Sequence, residues 1–282
     1  MNILTFDIEE WFHIQFDEIS EYHKTKSFEK RLPRILNQIL DRLDLVDIKA
    51  TFLCLGWIGE VYPELIREIH KRGHEIGSHT NDHKLVHGQK PEEFRKDLRQ
   101  SIAILTDLTG SAVTTFRAPA FSITKNSEWA YEILIEEGIE IDLSIFPGKR
   151  DFGGNSVHPI SGPHVLHTQS GNIKELPISF SRVIGKKLIY SGGGYFRLSP
   201  YWLTKKLMKS EDYTMCYFHA RDFDSDQPVL PGLSNIRKFK SYYGLKSAWG
   251  KFESLTHEFN FINVEKADEI INWNSVPIYH IK

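Results

Sequence analysis

Short β-branched and apolar runs alternate with stretches of helical period along the first half of the chain, and this rhythm constrains the fold more than any other feature. Parallel strands joined by crossover helices produce such a pattern, so the chain reads as α/β. Strands are expected at residues 3–8, 50–55, 75–78, 114–117 and 139–144. Helices are expected at 28–43, 63–72, 91–108 and 124–137, with Pro63 and Pro91 at helix starts and Gly73, Gly110 and Gly138 just past helix ends.

From residue 146 to 171 the composition turns to Gly, Pro and Ser, which marks a long irregular excursion of the kind that often shapes a binding site. β signals resume at 174–178 and 188–191. A helix at 200–209, a strand at 214–218, helical segments between 235 and 256, a strand near 259–264 and a last helix at 266–271 complete the pattern. Internal repeats are absent, and 282 residues fit a single domain, 1–282, of the size of an α/β barrel.

Charge and cysteine content narrow the function. The 35 basic and 37 acidic residues nearly cancel and form no long basic run, so nucleic acid is not an expected partner. Cys54 and Cys216 lie far apart inside apolar runs and read as two buried thiols, which suits a reducing compartment. The N-terminus shows neither the charged nor the apolar part of an export signal, and no stretch approaches the ~18 apolar residues of a membrane span, so a cytoplasmic protein is expected.

Polar residues collect where strands should end: Asp7-Ile8-Glu9-Glu10, His79-Thr80-Asn81-Asp82-His83, Arg117-Ala118-Pro119-Ala120 and His219-Ala220-Arg221-Asp222. In a parallel barrel those ends converge on one face. Strand alternation turns Asp7 and Glu9 to the same side and Ile8 to the opposite apolar layer. His79 and His83, four apart, can meet one metal if the segment turns helically. A carboxylate from the first cluster would make a two-His, one-carboxylate set with an open position, the pattern of a catalytic divalent site.

Other matches fail on inspection. His74-Glu75-Ile76-Gly77-Ser78-His79 spaces its histidines five apart, Asp151-Phe152-Gly153 lacks the other kinase motifs, and Asp222, Asp224 and Asp226 lack a calcium loop's glycine and final glutamate. Gly192-Gly193-Gly194 reads as a tight turn.

The ordered set Thr5-Phe6-Asp7 with a following acid, Ser78-His79-x-x-x-His83, Arg117-Ala118-Pro119 and Tyr217-Phe218-His219 resembles the polysaccharide deacetylase family, the NodB-like carbohydrate esterases. The likeness runs from residue 1 to about 225. The stretch Ser191-Gly-Gly-Gly-Tyr-Phe-Arg197 is similar to a branch found in exopolysaccharide and O-antigen gene clusters. The resemblance implies a distorted (β/α) barrel of about seven parallel strands, a metal-site core at 1–225 completed by 226–282, and removal of acetyl groups from sugars with a divalent metal, usually zinc.

Carried onto this chain, Asp7 would be the general base, and Glu9, His79 and His83 would bind the metal. Arg117 would hold Asp7 ionised, the Ala120 N–H would help bind the oxyanion, and His219 would be the general acid. The family's adjacent second aspartate is Ile8 here, so alternation selects Glu9 over Glu10 as the ligand. The family's tryptophan-bearing fourth motif is also missing. Asp142 stands in roughly its place as a partner for His219, with Glu175 as another candidate.

The chemistry calls for these groups. Amide hydrolysis needs a water made nucleophilic and an amine made able to leave, which a divalent cation, a carboxylate base and an imidazole acid provide together. Trp11, Phe12, Phe121, Tyr195, Phe196 and Phe223 are candidates to stack on sugar rings. The substrate implied is an N-acetylated saccharide of a polysaccharide or its precursor. The competing functions are cleavage of cyclic or small amides, as in allantoinase-like relatives, and non-catalytic carbohydrate binding. The oligomeric state is left open.

Overall fold

In the computed structural model, residues 1–13, 28–155, 158–183 and 185–281 are described. The strands are β1 (Asn2–Ile8), β2 (Thr51–Cys54), β3 (Glu75–Ser78), β4 (Thr115–Phe116), β5 (Ile141–Asp142) and β6 (His164–Thr168). There follow β7 (Gly171–Glu175), β8 (Ser181–Val183), β9 (Lys186–Leu188), β10 (Thr214–His219) and β11 (Ile278–His280). The main sheet runs β10-β1-β2-β3-β4-β5-β7-β6-β11, and its stretch from β10 to β7 is parallel throughout. Those seven strands form the distorted barrel. β6 returns antiparallel against β7, β11 adds parallel to β6, and β8 with β9 forms a separate hairpin.

Alternation along β1 sorts its side chains into two layers. Leu4, Phe6 and Ile8 pack outward under the helices Leu32–Leu45, Pro63–Lys71 and Leu245–Glu258. Ile3 belongs to the inner cluster with Leu53, Ile141, Leu176, Met215 and Tyr217. Asp7 continues that inner face at the carboxyl end of the strand.

The barrel does not close by strand pairing between β7 and β10 among the described residues. Residues just after β7 bridge the seam through side chains instead: Ser179 Oγ accepts from Met215 N at 2.7 Å, and Tyr213 Oη donates to the Pro177 carbonyl at 2.7 Å. This explains how fewer than eight strands enclose a filled core.

Several sequence expectations need correction. The irregular stretch 146–171 contains β6, whose mixed apolar and polar residues gave no clear period. The strand expected near 259–264 is reduced to a single bridge between Ile3 and Ile262, because a helix starts at Val264 under an Asn263 cap. Gly192-Gly193-Gly194 is not a simple turn; the helix Gly193–Leu198 begins there. A Cβ on Gly192 would stand 2.0 Å from the Tyr217 carbonyl, so glycine permits the close approach to β10.

Candidate active site

The acidic, histidine and arginine clusters do meet. One donor atom each from Glu9, His79 and His83 lies within 4.8 Å of the others, and all three residues are buried. Glu9 follows β1, while the histidines follow β3. The segment 79–83 is not helical, contrary to the condition set on its spacing: Thr80 and His83 adopt left-handed backbone at φ 71° and 58°. Those two turns bring the imidazoles to 5.3 Å between centres, a strained arrangement of the kind that concentrates at functional sites.

The helix Pro91–Thr109 holds this loop in place. Its Asp97 carboxylate accepts from Asn81 N at 2.8 Å and Asp82 N at 3.3 Å, and Ser101 Oγ meets Ser78 Oγ at 2.8 Å. Gly56 lets the loop approach from the other side, where a Cβ would stand 2.3 Å from Asn81 Oδ1.

The donor set suits a divalent cation. His79 Nδ1 donates to the Arg117 carbonyl at 2.7 Å, which fixes the tautomer and leaves Nε2 with a lone pair for the cluster. Burial pushes the His79 pKa down to about 4, so the ring is neutral and able to ligate. Glu9 Oε2 lies 2.7 Å from His83 Nε2. Burial opposes charge on Glu9, yet the neighbouring His83 holds it well below the ordinary carboxylate range. Two imidazoles and one carboxylate match a catalytic divalent site with an open position.

Asp7 stands beside this triad. Arg117 Nη1 donates to Asp7 Oδ1 at 2.6 Å, with both side chains sealed from solvent. Burial raises the cost of ionising Asp7, but Arg117, helped by His79 and His219, brings its pKa below the ordinary value. Opposite lies His219, whose side chain is 24% exposed and whose Nε2 is 3.7 Å from Asp7 Oδ2 and 3.9 Å from Glu9 Oε1. The turn Pro119–Phe121 follows Arg117 by two residues, with Ala120 and Phe121 both in left-handed backbone at φ 52° and 57°.

The partner expected for His219 is corrected. Asp142 accepts from Ser144 N and Oγ and shares a buried contact with Glu175, its register neighbour on β7. Burial raises both carboxyl pKa values. His219 Nδ1 pairs instead with Asp222 Oδ2 at 3.1 Å, and Asp222 forms an ion pair with Arg197 Nε at 2.9 Å. Burial lowers the His219 pKa, but the Asp222 hydrogen bond and the Glu9 and Asp7 charges outweigh it and raise the value. The sequence signal was present: an acid three residues after His219 caps the short turn that follows the strand, accepting from His219 N at 2.9 Å.

Glu10 stays outside the triad. Its carboxylate accepts from Tyr62 Oη at 2.7 Å and from the N–H groups of Arg31 and Leu32, where it caps a helix start. Among the aromatics expected at the mouth, Phe196 and Phe223 pack in the main core and Trp11 against Leu230. Phe121 is buried against Phe146 in the inner cluster, and Tyr195 is half-buried against the same ring.

Comparison with known proteins agrees with this geometry. Residues 9–134 match the polysaccharide deacetylase family model, and residues 143–269 match a domain of unknown function, DUF3473. The first half of the chain is thus similar to polysaccharide deacetylases, and the second half to the DUF3473 domain. A peptidoglycan-N-acetylglucosamine deacetylase of Bacillus cereus is 35% identical over 96 residues, which cover 34% of this chain and 35% of that protein. The peptidoglycan-N-acetylmuramic acid deacetylase PdaC of Bacillus subtilis is 33% identical over 31% of this chain and 19% of its own length. This chain therefore spans only about a third or less of the length of these curated relatives.

Solved structures share the fold. A polysaccharide deacetylase assignment from Mycobacterium smegmatis superposes with a TM-score of 0.63 at 17% identity, over 98% of this chain and 91% of that one. PdaC of Bacillus subtilis superposes at 0.52 and 16% identity, over 95% and 90%. A pseudoenzyme variant of the same fold with restored activity also superposes, at 0.50 and 13% identity over 94% and 66%. Fold alone therefore does not confer activity, and the residues at the site must carry the functional conclusion.

Proposed function

We propose that this chain is a zinc-dependent hydrolase that removes the N-acetyl group from an N-acetylated sugar of a polysaccharide or its precursor. One observation carries the assignment: a buried Glu9, His79, His83 triad lies beside a carboxylate held ionised by Arg117 and faces an imidazole oriented by Asp222. A divalent cation held by the triad would polarise the acetyl carbonyl and acidify water. Asp7 Oδ2 takes the proton from the attacking water, because Arg117 occupies Oδ1 and keeps the group ionised. The Ala120 N–H supports the oxygen that gains charge as the carbonyl is attacked. His219 Nε2 protonates the departing sugar nitrogen, with Asp222 stabilising the imidazolium beforehand.

One catalytic unit over 1–282 accounts for this set, since His219 and Asp222 come from the DUF3473 half and the other groups from the first. The likeness of Ser191-Gly-Gly-Gly-Tyr-Phe-Arg197 to the exopolysaccharide and O-antigen branch supports placement there, and its Arg197 anchors Asp222. Cys54 and Cys216 are both free and buried, which favours a reducing, cytoplasmic setting and a precursor as substrate. No helix among the described residues is long and apolar enough to cross a membrane.

The test is acetate release by zinc-loaded protein from N-acetylated oligosaccharides, run beside ring opening of cyclic ureides. Acetate release that disappears in Asp7→Asn supports the assignment. Ureide opening without acetate release would replace it with the cyclic-amide activity, and zinc-free saccharide binding with a non-catalytic one.

A further inference from the structure

One cation beside the site has no role in the scheme above. Arg150 carries its guanidinium 4.7 Å from the Phe146 ring centre and 5.1 Å from that of Phe121. Its Nη1 donates to Tyr217 Oη at 3.0 Å, and Tyr217 lies two residues before His219, with ring centres 6.1 Å apart. The loop that carries Arg150 is clamped onto the Ala120 turn: Gly154 N donates to the Phe121 carbonyl at 2.9 Å. A Cβ on Gly153 would stand 2.5 Å from the Ala120 carbonyl oxygen. From the far side, Asp151 pairs with Lys240 at 2.8 Å. Arg150 is thereby fixed next to both the acid and the turn that receives the carbonyl oxygen.

What this guanidinium lacks is a counter-charge. Arg117 and Arg197 each hold a carboxylate at 2.6 and 2.9 Å, whereas no carboxylate of the described residues lies within 4.0 Å of Arg150. Asp7 acts on it through space but is already paired with Arg117. Removing a cation from bulk water without a partner is costly, and contact with aromatic faces offsets only part of that cost. The planar fork, seated on rings through its faces, keeps an edge open to accept two oxygens side by side.

We infer that Arg150, with Phe121, Phe146, Tyr195 and Tyr217, forms a subsite for an oxyanion of the substrate. The favoured substrate is then an N-acetylated sugar that carries, or directly adjoins, a carboxylate or a phosphate. This rests on the deacetylase assignment and narrows it. The buried rings of Phe121, Phe146 and Tyr217 seat the guanidinium, half-buried Tyr195 packs against Phe146 beside it, and the guanidinium selects for charge.

The test uses the zinc-loaded full chain and three probes: neutral diacetylchitobiose, a hyaluronan tetrasaccharide bearing carboxylates, and N-acetylglucosamine 1-phosphate. Affinity is measured by titration, and acetate release is measured separately. At least one anionic probe binds roughly 10- to 100-fold more tightly than diacetylchitobiose, the range expected for hydrogen bonds to a charged group. Preference for the tetrasaccharide marks a carboxylate ligand, and preference for the 1-phosphate marks a phosphate. Arg150→Gln erases the preference while leaving diacetylchitobiose affinity unchanged, and Arg150→Lys, which keeps the charge and serves if the first variant misfolds, restores part of it. Equal affinity of the unmodified chain for neutral and anionic probes overturns the inference. So does an Arg150→Gln variant whose kcat falls equally on neutral and anionic probes, which would place the guanidinium on the reacting carbonyl. Charge preference without acetate release from any probe would instead remove the deacetylase assignment and leave the subsite standing.

Discussion

Arg117 ties the proposed base to the proposed metal site: its Nη1 donates to Asp7 Oδ1 at 2.6 Å, and its carbonyl accepts from His79 Nδ1 at 2.7 Å. One residue therefore sets the charge of Asp7 and the tautomer of His79. Both contacts are buried, so neither is screened by solvent.

Removing one partner of the buried pair should be costly. Arg117→Met leaves the Asp7 charge without compensation and is expected to destabilise the fold by about 3–5 kcal/mol, read from urea denaturation at neutral pH. Combining it with Asp7→Asn should recover much of that loss, since no charge then needs a partner. Equal losses in the single and double variants would contradict the pairing.

Asp7→Asn and His219→Ala should each lower turnover by ~10²–10⁴-fold, the usual contribution of a general base or acid, while metal content stays unchanged. His79→Ala should lose the metal itself. Elemental analysis beside acetate release separates the two classes of variant.

The pH profile of kcat/KM should be bell-shaped. Asp7 must be ionised and its pKa is lowered, so the acid limb falls below the ordinary aspartate value of 3.8. His219 must be protonated and its pKa is raised, so the alkaline limb falls above 6.5. Asp222→Asn removes the contact that raises it and should move the alkaline limb to lower pH, with little change in the acid limb.

Asp97 touches no substrate group in the proposed chemistry, yet it fixes the loop between His79 and His83 through Asn81 N and Asp82 N. Asp97→Ala should weaken metal affinity by roughly 10–100-fold, as loss of an outer support to a ligand typically does. Competition against a chelator of known affinity reads this directly.

Glu175 gives a contrasting case. Burial and the neighbouring Asp142 push its carboxyl well above the ordinary glutamate value, which favours the protonated form. Glu175→Gln preserves shape and charge state and should change stability by less than about 1 kcal/mol, the ordinary net value of one hydrogen bond. A large loss in thermal or urea unfolding would show the carboxyl to be ionised.

The site's main members were legible because strand alternation is strict. Asp7 ends the inner face of β1 and Glu9 follows just past the strand, and residues at other strand ends reach the same rim. The spacing of His79 and His83 pointed to two imidazoles that do meet, for a different reason from the one realised. Left-handed backbone at Thr80 and His83 leaves no residue signature, since threonine ordinarily avoids it. Asp142 was a plausible partner for His219 by position in the chain, but Asp222 reaches it first through a turn three residues long. β6 and β11 escaped notice because neither carries a sustained alternation of apolar and polar residues, and β11 lies at the sheet edge. Arg150 and Arg197 lie in loop and helix positions whose importance comes only from tertiary contacts.

Anomalous diffraction at the zinc edge, from crystals of the protein grown with zinc, addresses the central claim most directly. One strong peak is predicted at about 2.0–2.2 Å from His79 Nε2, His83 Nε2 and a Glu9 oxygen, with Asp7 outside that shell and paired to Arg117. A peak on other residues, or none at full zinc loading, would contradict it.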